Sequence, residues 1–501
     1  VKHPLTDCHL MLESHPFPSP ELKALDAPSD SSVDVLIIGL SADEDPPPTL
    51  DRVNKTARGW IDRLCERGLI SSKCGEVNKL ASPHSDGPPI VVVVGVGDGS
   101  QRDRSSAFDL AATAIRAISS QPHAVVDIAL AESFPAEMHD SIVAGAVNAC
   151  ENQAIYQSDP KAFVPEAIRF SAVDEDAITR GSIIGESIMH VRRLVNEPPS
   201  RVYPESFALM ATKIAEQAGL KVEVWDERRL EAEGCRAILA VGAGSVRPPR
   251  LLTLRHLGGG NEPPIALVGK GVTFDSGGLS LKPSESMVDM KCDMAGAATV
   301  VGVMNAIAKL GIKRNVIGYC GLAENMVSGS SYKLGDVIET RSGNTIEILN
   351  TDAEGRVVLA DTLDVAIQAN PSAMVDLATL TGACMVALGT EVAGLMTNDQ
   401  SLCDQISAAA KVEGEPVWQL PMFKLYDEKV QSKVANIKNV GDGRWGGAIT
   451  AAKFLENFVG DTPWVHIDIA GPAFVDSPKS NRDAGATGAM VRSLLNWIEV
   501  R

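Results

Sequence analysis

The chain has 501 residues, more than one ordinary hydrophobic core accommodates, so two domains are expected. Its 46 Lys and Arg stand against 64 Asp and Glu, and the net charge of −18 excludes any general attraction to a phosphate backbone. Hydrophobic residues are 45% of the chain, enough for a sizeable core in each domain, yet no uncharged run reaches the ~18 residues of a membrane span.

The nine cysteines, scattered from Cys8 to Cys403 without a C-x-x-C pair, read as reduced thiols. Residues 1–30 carry acids and prolines rather than an apolar segment, so no secretory signal is expected and the location reads as cytoplasmic.

Residues 1–30 look irregular or weakly paired, and residues 33–40 read as a strand. An acidic, proline-rich loop follows over 41–49, then an amphipathic helix over 52–65. The β-branched run 90–96 is a buried strand, 105–119 an Ala-rich helix, 125–130 a strand and 141–156 a helix. Such alternation implies an α/β domain. Gly95, Gly97 and Gly99 mimic a dinucleotide fingerprint, but Ser100 replaces the last glycine and a plain strand-to-helix turn explains them.

Residues 1–165 are therefore expected as an N-terminal α/β domain serving regulation or assembly. Residues 166–185 are expected as linker and start of a connecting helix over 176–195, and 186–501 as the catalytic domain. Strands are expected at 221–224, 250–256, 265–268, 316–322, 373–377 and 464–469. Helices are expected at 205–219, 290–310, 356–369, 402–412, 446–458 and 485–498. The larger domain is then a helix-flanked, largely parallel mixed sheet.

Two stretches carry chemistry. Asn350-Thr351-Asp352-Ala353-Glu354-Gly355-Arg356 packs two carboxylates and a guanidinium where a helix should begin. Taken alone, Thr351 and Glu354 also fit a T-x-x-E capping box. The second stretch runs from Lys270 through Asp275 and Gly277-Gly278 to Lys282, followed by Met290 and Asp293. Carboxylates clustered in mostly apolar segments are costly unless a cation pairs with them. Asp275, Asp293, Asp352 and Glu354 on strand and helix ends could hold two divalent cations, and oxygen ligands of this hardness suit zinc, manganese or magnesium. Cys292 beside Asp293 reads as a buried helix residue facing away.

These blocks, N-T-D-A-E-G-R before Leu-Ala-Asp, G-K-G-x-x-F-D-S-G-G-x-x-x-K and D-M-x-x-D-M-x-G-A-A, with Gly446-Gly447-Ala448-Ile449-Thr450-Ala451-Ala452, resemble the leucine aminopeptidases of the cytosolic, two-metal type. The resemblance covers about residues 185–501; the N-terminal third matches only in general character. It implies two divalent ions per subunit, zinc or manganese. Asp275 and Glu354 would bridge them, Lys270 and Asp293 would complete the tighter site, and Asp352 the more exchangeable one. Lys270 must then be neutral, which a neighbouring dication enforces; the competing reading is a salt bridge to Asp275.

The two metals would share a hydroxide that attacks the scissile carbonyl. The resemblance implies that Lys282 stabilises the oxyanion and that Arg356, at a helix N-terminus, holds a bicarbonate acting as general base. A structural pair of Arg356 with Asp361 is the plainer alternative. Met290, Thr379, Gly382, Ala470 and Ala473 would surround the first substrate side chain, suiting leucine or methionine. His256 and His466 read as core residues. The expected activity is release of N-terminal amino acids from peptides by a homohexamer, a dimer of trimers.

One rival reading is a DNA-binding architectural protein on the same fold. Against it, residues 1–160 hold 12 basic and 23 acidic side chains, so a nucleic-acid partner is not expected. Another two-metal hydrolase, a phosphatase or an amide-cleaving deacylase, would lack histidine ligands and a phosphate cradle here.

Overall fold

A computed structural model describes residues 19–25, 33–42, 46–83, 87–159 and 161–501. The expectations for residues 1–18, for Cys8, and for Asp43, Glu44 and Asp45 of the acidic loop lie outside these. The chain divides into two compact units, residues 1–189 with 477–484, and residues 190–476 with 485–501.

In the first unit six strands run in the order Glu21–Leu25, Ala167–Ser171, Val125–Ile128, Val35–Ser41, Ile90–Gly97, Val77–Ala81. Every neighbouring pair is parallel except the last. Alternation of side chains across the sheet explains its two cores. Val35, Ile37, Val92 and Val94 face the helices Arg104–Ile118 and His139–Asn148. Leu36, Ile38, Val91 and Val93 pack with Leu50 and Ile61 of the helices Pro48–Thr56 and Trp60–Glu66.

Several local expectations are corrected here. The helix expected over 52–65 is two helices, because Arg58 (φ 52°) and Gly59 (φ 74°) take left-handed backbone between them. The helix expected to reach Tyr156 ends at Asn148. The weakly paired start contains the strand Glu21–Leu25, and the span expected as linker contains its partner Ala167–Ser171.

In the second unit eight strands are ordered Val417–Gln419, Ala393–Thr397, Trp464–Asp468, Ala373–Ala378, Ile265–Asp275, Asn315–Asn325, Arg250–Leu257, Lys221–Trp225. The four central strands are mutually parallel. Antiparallel strands join on either side. A helix-flanked, largely parallel mixed sheet was expected, and it is found.

The strand expected over 265–268 runs on to Asp275, so Lys270 lies inside it and only Asp275 at its end. The helix expected from Met290 is a single 3-10 turn, Met290–Cys292, followed by the helix Ala295–Lys309, with Asp293 between them. The helix expected from Gly485 is a short strand, Gly485–Ala486, and then the helix Val491–Val500. His466 is fully buried, as expected of a core residue, whereas His256 is only half-buried, its Nε2 2.8 Å from the Ile312 carbonyl. None of the eight cysteines described forms a disulfide. Among the described residues no helix is long and apolar enough to cross a membrane.

The floor of this sheet holds a buried polar triad. Asp376 accepts from Trp464 Nε1 at 2.7 Å and lies 2.7 Å from His466 Nδ1. Burial alone would lower the His466 pKa, but the Asp376 charge overrides it and raises it. A raised pKa means that this share of stability is complete below the unfolded value of about 6.5 and is lost as pH rises through the folded one. Asp376→Ala strands two buried donors and should cost about 3–5 kcal/mol in denaturant unfolding below pH 6. The deficit should shrink toward alkaline pH; a deficit independent of pH would show that His466 carries no charge.

Candidate metal centre

The strand Ile265–Asp275 supplies both Lys270 and Asp275, five residues apart. On a regular strand an odd spacing sends side chains to opposite faces. The pairing with Asn315–Asn325 slips, however: Ala323 opposes Val272 while Glu324 opposes Phe274, leaving Thr273 as an extra residue. This bulge reverses the alternation once and brings Lys270 and Asp275 toward the same group of acids.

That group is buried. Asp275, Asp293 and Glu354 each offer a carboxylate oxygen within 4.8 Å of the others. Lys270 Nζ lies 2.7 Å from Asp293 Oδ1 and 3.0 Å from Glu354 Oε1. It is therefore not the simple partner of Asp275 that the competing reading supposed. Lys282 Nζ joins Asp275 Oδ2 at 2.8 Å to Asp352 Oδ1 at 2.5 Å. Asp352 is the outermost carboxylate, its side chain 34% exposed.

Burial penalises each charge, and neighbours decide the rest. Asp275 is pushed up to about 6 by burial and by the Glu354 charge, against the pull of Lys282 and Lys270. Asp293 is driven well above the usual range by burial, which outweighs Lys270. Burial raises Asp352 as well. For the two lysines burial acts downward, yet the surrounding acids hold both above their ordinary value.

Four carboxylates against two ammonium groups leave the cluster short of positive charge. Asp293 Oδ2 and Glu354 Oε2 are buried without a hydrogen-bond partner. Hard oxygen donors, an amine and unmatched negative charge fit divalent cations.

The loop carrying Asp352 and Glu354 is held by its partner stretch. Thr351 Oγ1 donates to the Gly277 carbonyl at 2.7 Å and accepts from the Ser280 N–H at 2.8 Å. Gly277 (φ 86°) and Gly278 (φ 62°) make the turn that allows this. Thr351 is thus spent on a long-range clasp. The helix Glu354–Ile367 starts after Ala353 without a side-chain cap, so the capping-box reading fails.

Arg356 is also not paired with Asp361. Asp361 accepts from the Ala237, Ile238 and Arg341 N–H groups. Arg356 Nη1 donates to the Asn439 carbonyl at 2.9 Å, and its buried Nε has no partner. Burial lowers its pKa to about 10.

These groups line one cavity of about 1150 Å³, whose wall includes Lys270, Asp275, Lys282, Asp293, Asp352, Glu354 and Arg356. Met290, Thr379, Gly382 and Ala470 line it too. Thr379 does something further: its hydroxyl donates to Asp293 Oδ1 at 2.9 Å and its carbonyl accepts from Lys270 at 3.0 Å. Ala473 is buried, at 4% exposure, and does not line this cavity. Cys292 is buried, with its thiol pushed up to about 12 by burial, but it borders the cavity rather than facing away.

Three residues that organise the site carried no local signal. Asn325 Nδ2 donates to Asp275 Oδ1 at 2.8 Å and to the Thr351 carbonyl at 3.0 Å. Tyr332 donates to the same carbonyl at 2.9 Å. Asn439 Nδ2 donates to the Asn350 carbonyl at 2.6 Å while its own carbonyl holds Arg356.

Comparison with known proteins adds to this geometry. Residues 189–495 match the cytosol aminopeptidase family, catalytic domain, and residues 37–160 match the same family's N-terminal domain. A probable cytosol aminopeptidase of Rhodopirellula baltica is 60% identical, covering 98% of this chain and 99% of its own. One from Streptomyces coelicolor is 39% identical over 93% and 96%. Among solved structures, a tomato leucine aminopeptidase mutant superposes with a TM-score of 0.86 at 32% identity, covering 97% of each chain. A bottromycin maturation enzyme in complex with Mn superposes at 0.83 with 34% identity, covering 93% of this chain and 99% of its own.

Gly355 tests the packing of the cluster. A Cβ there would lie 2.3 Å from Lys270 Cε and 2.5 Å from its Nζ. Gly355→Ala should cost about 1–3 kcal/mol of stability. It should also weaken Mn²⁺ binding in calorimetry by pushing Lys270 out of place, and unchanged binding would mean that the lysine is not confined as described.

Proposed function

Because the chain belongs to the cytosol aminopeptidase family and is a metallo-aminopeptidase, we propose that it releases apolar N-terminal residues, leucine and methionine foremost, from peptides. Lys270, Asp275, Asp293, Asp352 and Glu354 hold its two metals. The observation that carries this reading is the buried carboxylate cluster with two unpartnered oxygens. Two divalent ions, zinc or manganese, supply Lewis acidity and acidify water when bound.

The protein's own groups divide the remaining work. Asp275 and Glu354 would be shared between the two metal positions, Lys270 and Asp293 would serve the inner one and Asp352 the outer. As a ligand Lys270 would have to be the free amine, so a metal held there would displace the proton that Asp293 and Glu354 now hold on it. Asp293, held by Thr379, receives the substrate's free α-amine, which makes the enzyme an exopeptidase. Met290, Gly382 and Ala470 supply an apolar slot for the first side chain.

Lys282 keeps its charge and stabilises the oxyanion that develops at the scissile carbonyl. The unpartnered Nε of Arg356 suits an anion on the cavity wall. We assign bicarbonate to it as general base, because the nearby carboxylates are committed to metal. The working form is a homohexamer, a dimer of trimers, acting on peptides in the cytoplasm. A mass of six chains by light scattering is expected; a fully active monomer would refute the assembly.

Exhaustive chelation should abolish hydrolysis of leucine amide, and Zn²⁺ or Mn²⁺ should restore it. Lys270→Ala should lower metal content together with rate. Lys282→Ala should keep both metals and lose on the order of 10²–10³ in kcat. Lys282→Arg should rescue little, since a planar guanidinium is a poor substitute for a compact ammonium. If Lys282→Ala empties a metal position while Lys270→Ala fills both, the two roles are reversed.

Bicarbonate gives a separate measurement. Buffer stripped of CO₂ should lower the wild-type kcat, and added bicarbonate should restore it. Arg356→Ala should fall by roughly 10² or more and ignore bicarbonate. A wild-type rate indifferent to bicarbonate would remove the anion from the scheme.

A further inference from the structure

The cavity that holds the acidic cluster changes character from floor to rim. Its floor is polar and closed: Lys270, Asp275, Asp293, Glu354 and Arg356 are 2–8% exposed. Its rim is open and carries large apolar side chains, Val386 90% and Trp445 74% exposed, with Arg444 beside them. Single exposed apolar side chains need no explanation, but these two border the same cavity. Val386 belongs to the helix Gly382–Leu388, and Trp445 to residues 441–446, just before the helix Gly447–Glu456.

The two elements meet closely. A Cβ on Gly447 would lie 2.8 Å from Ala383 Cβ. Gly446 (φ 62°) turns the chain there. The Arg444 guanidinium lies 4.6 Å from the centroid of the Trp445 ring, a cation–π contact that gives the indole a neighbour in this open position.

We propose that Val386 and Trp445 form an apolar subsite for a peptide side chain well downstream of the scissile bond, beyond the residue that becomes the new N-terminus. This rests on the aminopeptidase reading. A substrate whose α-amine is fixed at the floor has to run outward along this wall. The cavity also exceeds the usual ~300–1,000 Å³ of small-ligand pockets, which leaves room for more than two residues. Burying an aromatic or branched side chain against indole and valine removes apolar surface from water on both partners. The favoured substrates are therefore oligopeptides with a large apolar third or later residue.

The experiment compares leucine amide with the tetrapeptides Leu-Ala-Phe-Ala and Leu-Ala-Ser-Ala, using the metal-loaded protein in its native assembly. Wild type should prefer the Phe peptide over the Ser peptide by roughly 10-fold in kcat/KM. Trp445→Ser and Val386→Ser should erase that preference while their rates on leucine amide stay level, and Trp445→Phe should keep most of it. No preference in wild type overturns the subsite. So do variants that lose rate equally on all three substrates, or that lose assembly in light scattering, because the rim would then be packing surface. A wild type inactive on leucine amide and on both peptides would instead sink the aminopeptidase reading beneath it.

Discussion

The constraint on which the rest of the second unit depends is the burial of four clustered carboxylates against two lysines. Lys270 and Lys282 together do not match the charge of Asp275, Asp293, Asp352 and Glu354. The shortage is visible in the raised Asp275 and Asp293 pKa values and in the two oxygens without partners. Such a cluster stores an affinity for cations. The protein keeps it by fixing each acid from behind: Asn325 and the Gly277 N–H on Asp275, Thr379 on Asp293.

Those supports explain the architecture around them. Four parallel strands end on one side of the sheet, where ligands of α/β folds collect. The strand Ile265–Asp275 reaches farther than its hydrophobic run because its last turns of sequence are spent on the site. The bulge at Thr273 changes which face the final residues present. The Thr351 clasp then fastens the loop before the helix Glu354–Ile367 to the turn after that strand. Two signature stretches about seventy residues apart in the chain thus become one wall. Gly355 is small because Lys270 lies across it.

The same cavity separates tasks by depth. At the floor, low exposure strengthens every charge interaction. At the rim, Trp445 and Val386 offer apolar contact area, with the Arg444 guanidinium against the indole. Arg356 belongs to the floor, buried and only partly satisfied, its Nε without a partner in the chain.

The sequence by itself determined the chemistry-bearing residues, because metal-binding acids and lysines must be present as types and in close spacing near strand and helix ends. It also determined the alternating architecture, since helical and strand periodicities are local. Folding decided what depends on contacts far apart in the chain. Asn325 and Asp275 are 50 residues apart, and Asn439 and Asn350 are 89, so neither pair leaves a mark in a short window. The bulge that aligns Lys270 with Asp275 depends on pairing with another strand. Thr351 looked like a helix cap and Arg356 like a partner for Asp361, for each pattern is locally sound. Only the assembled fold decided that their partners are Gly277, Ser280 and Asn439.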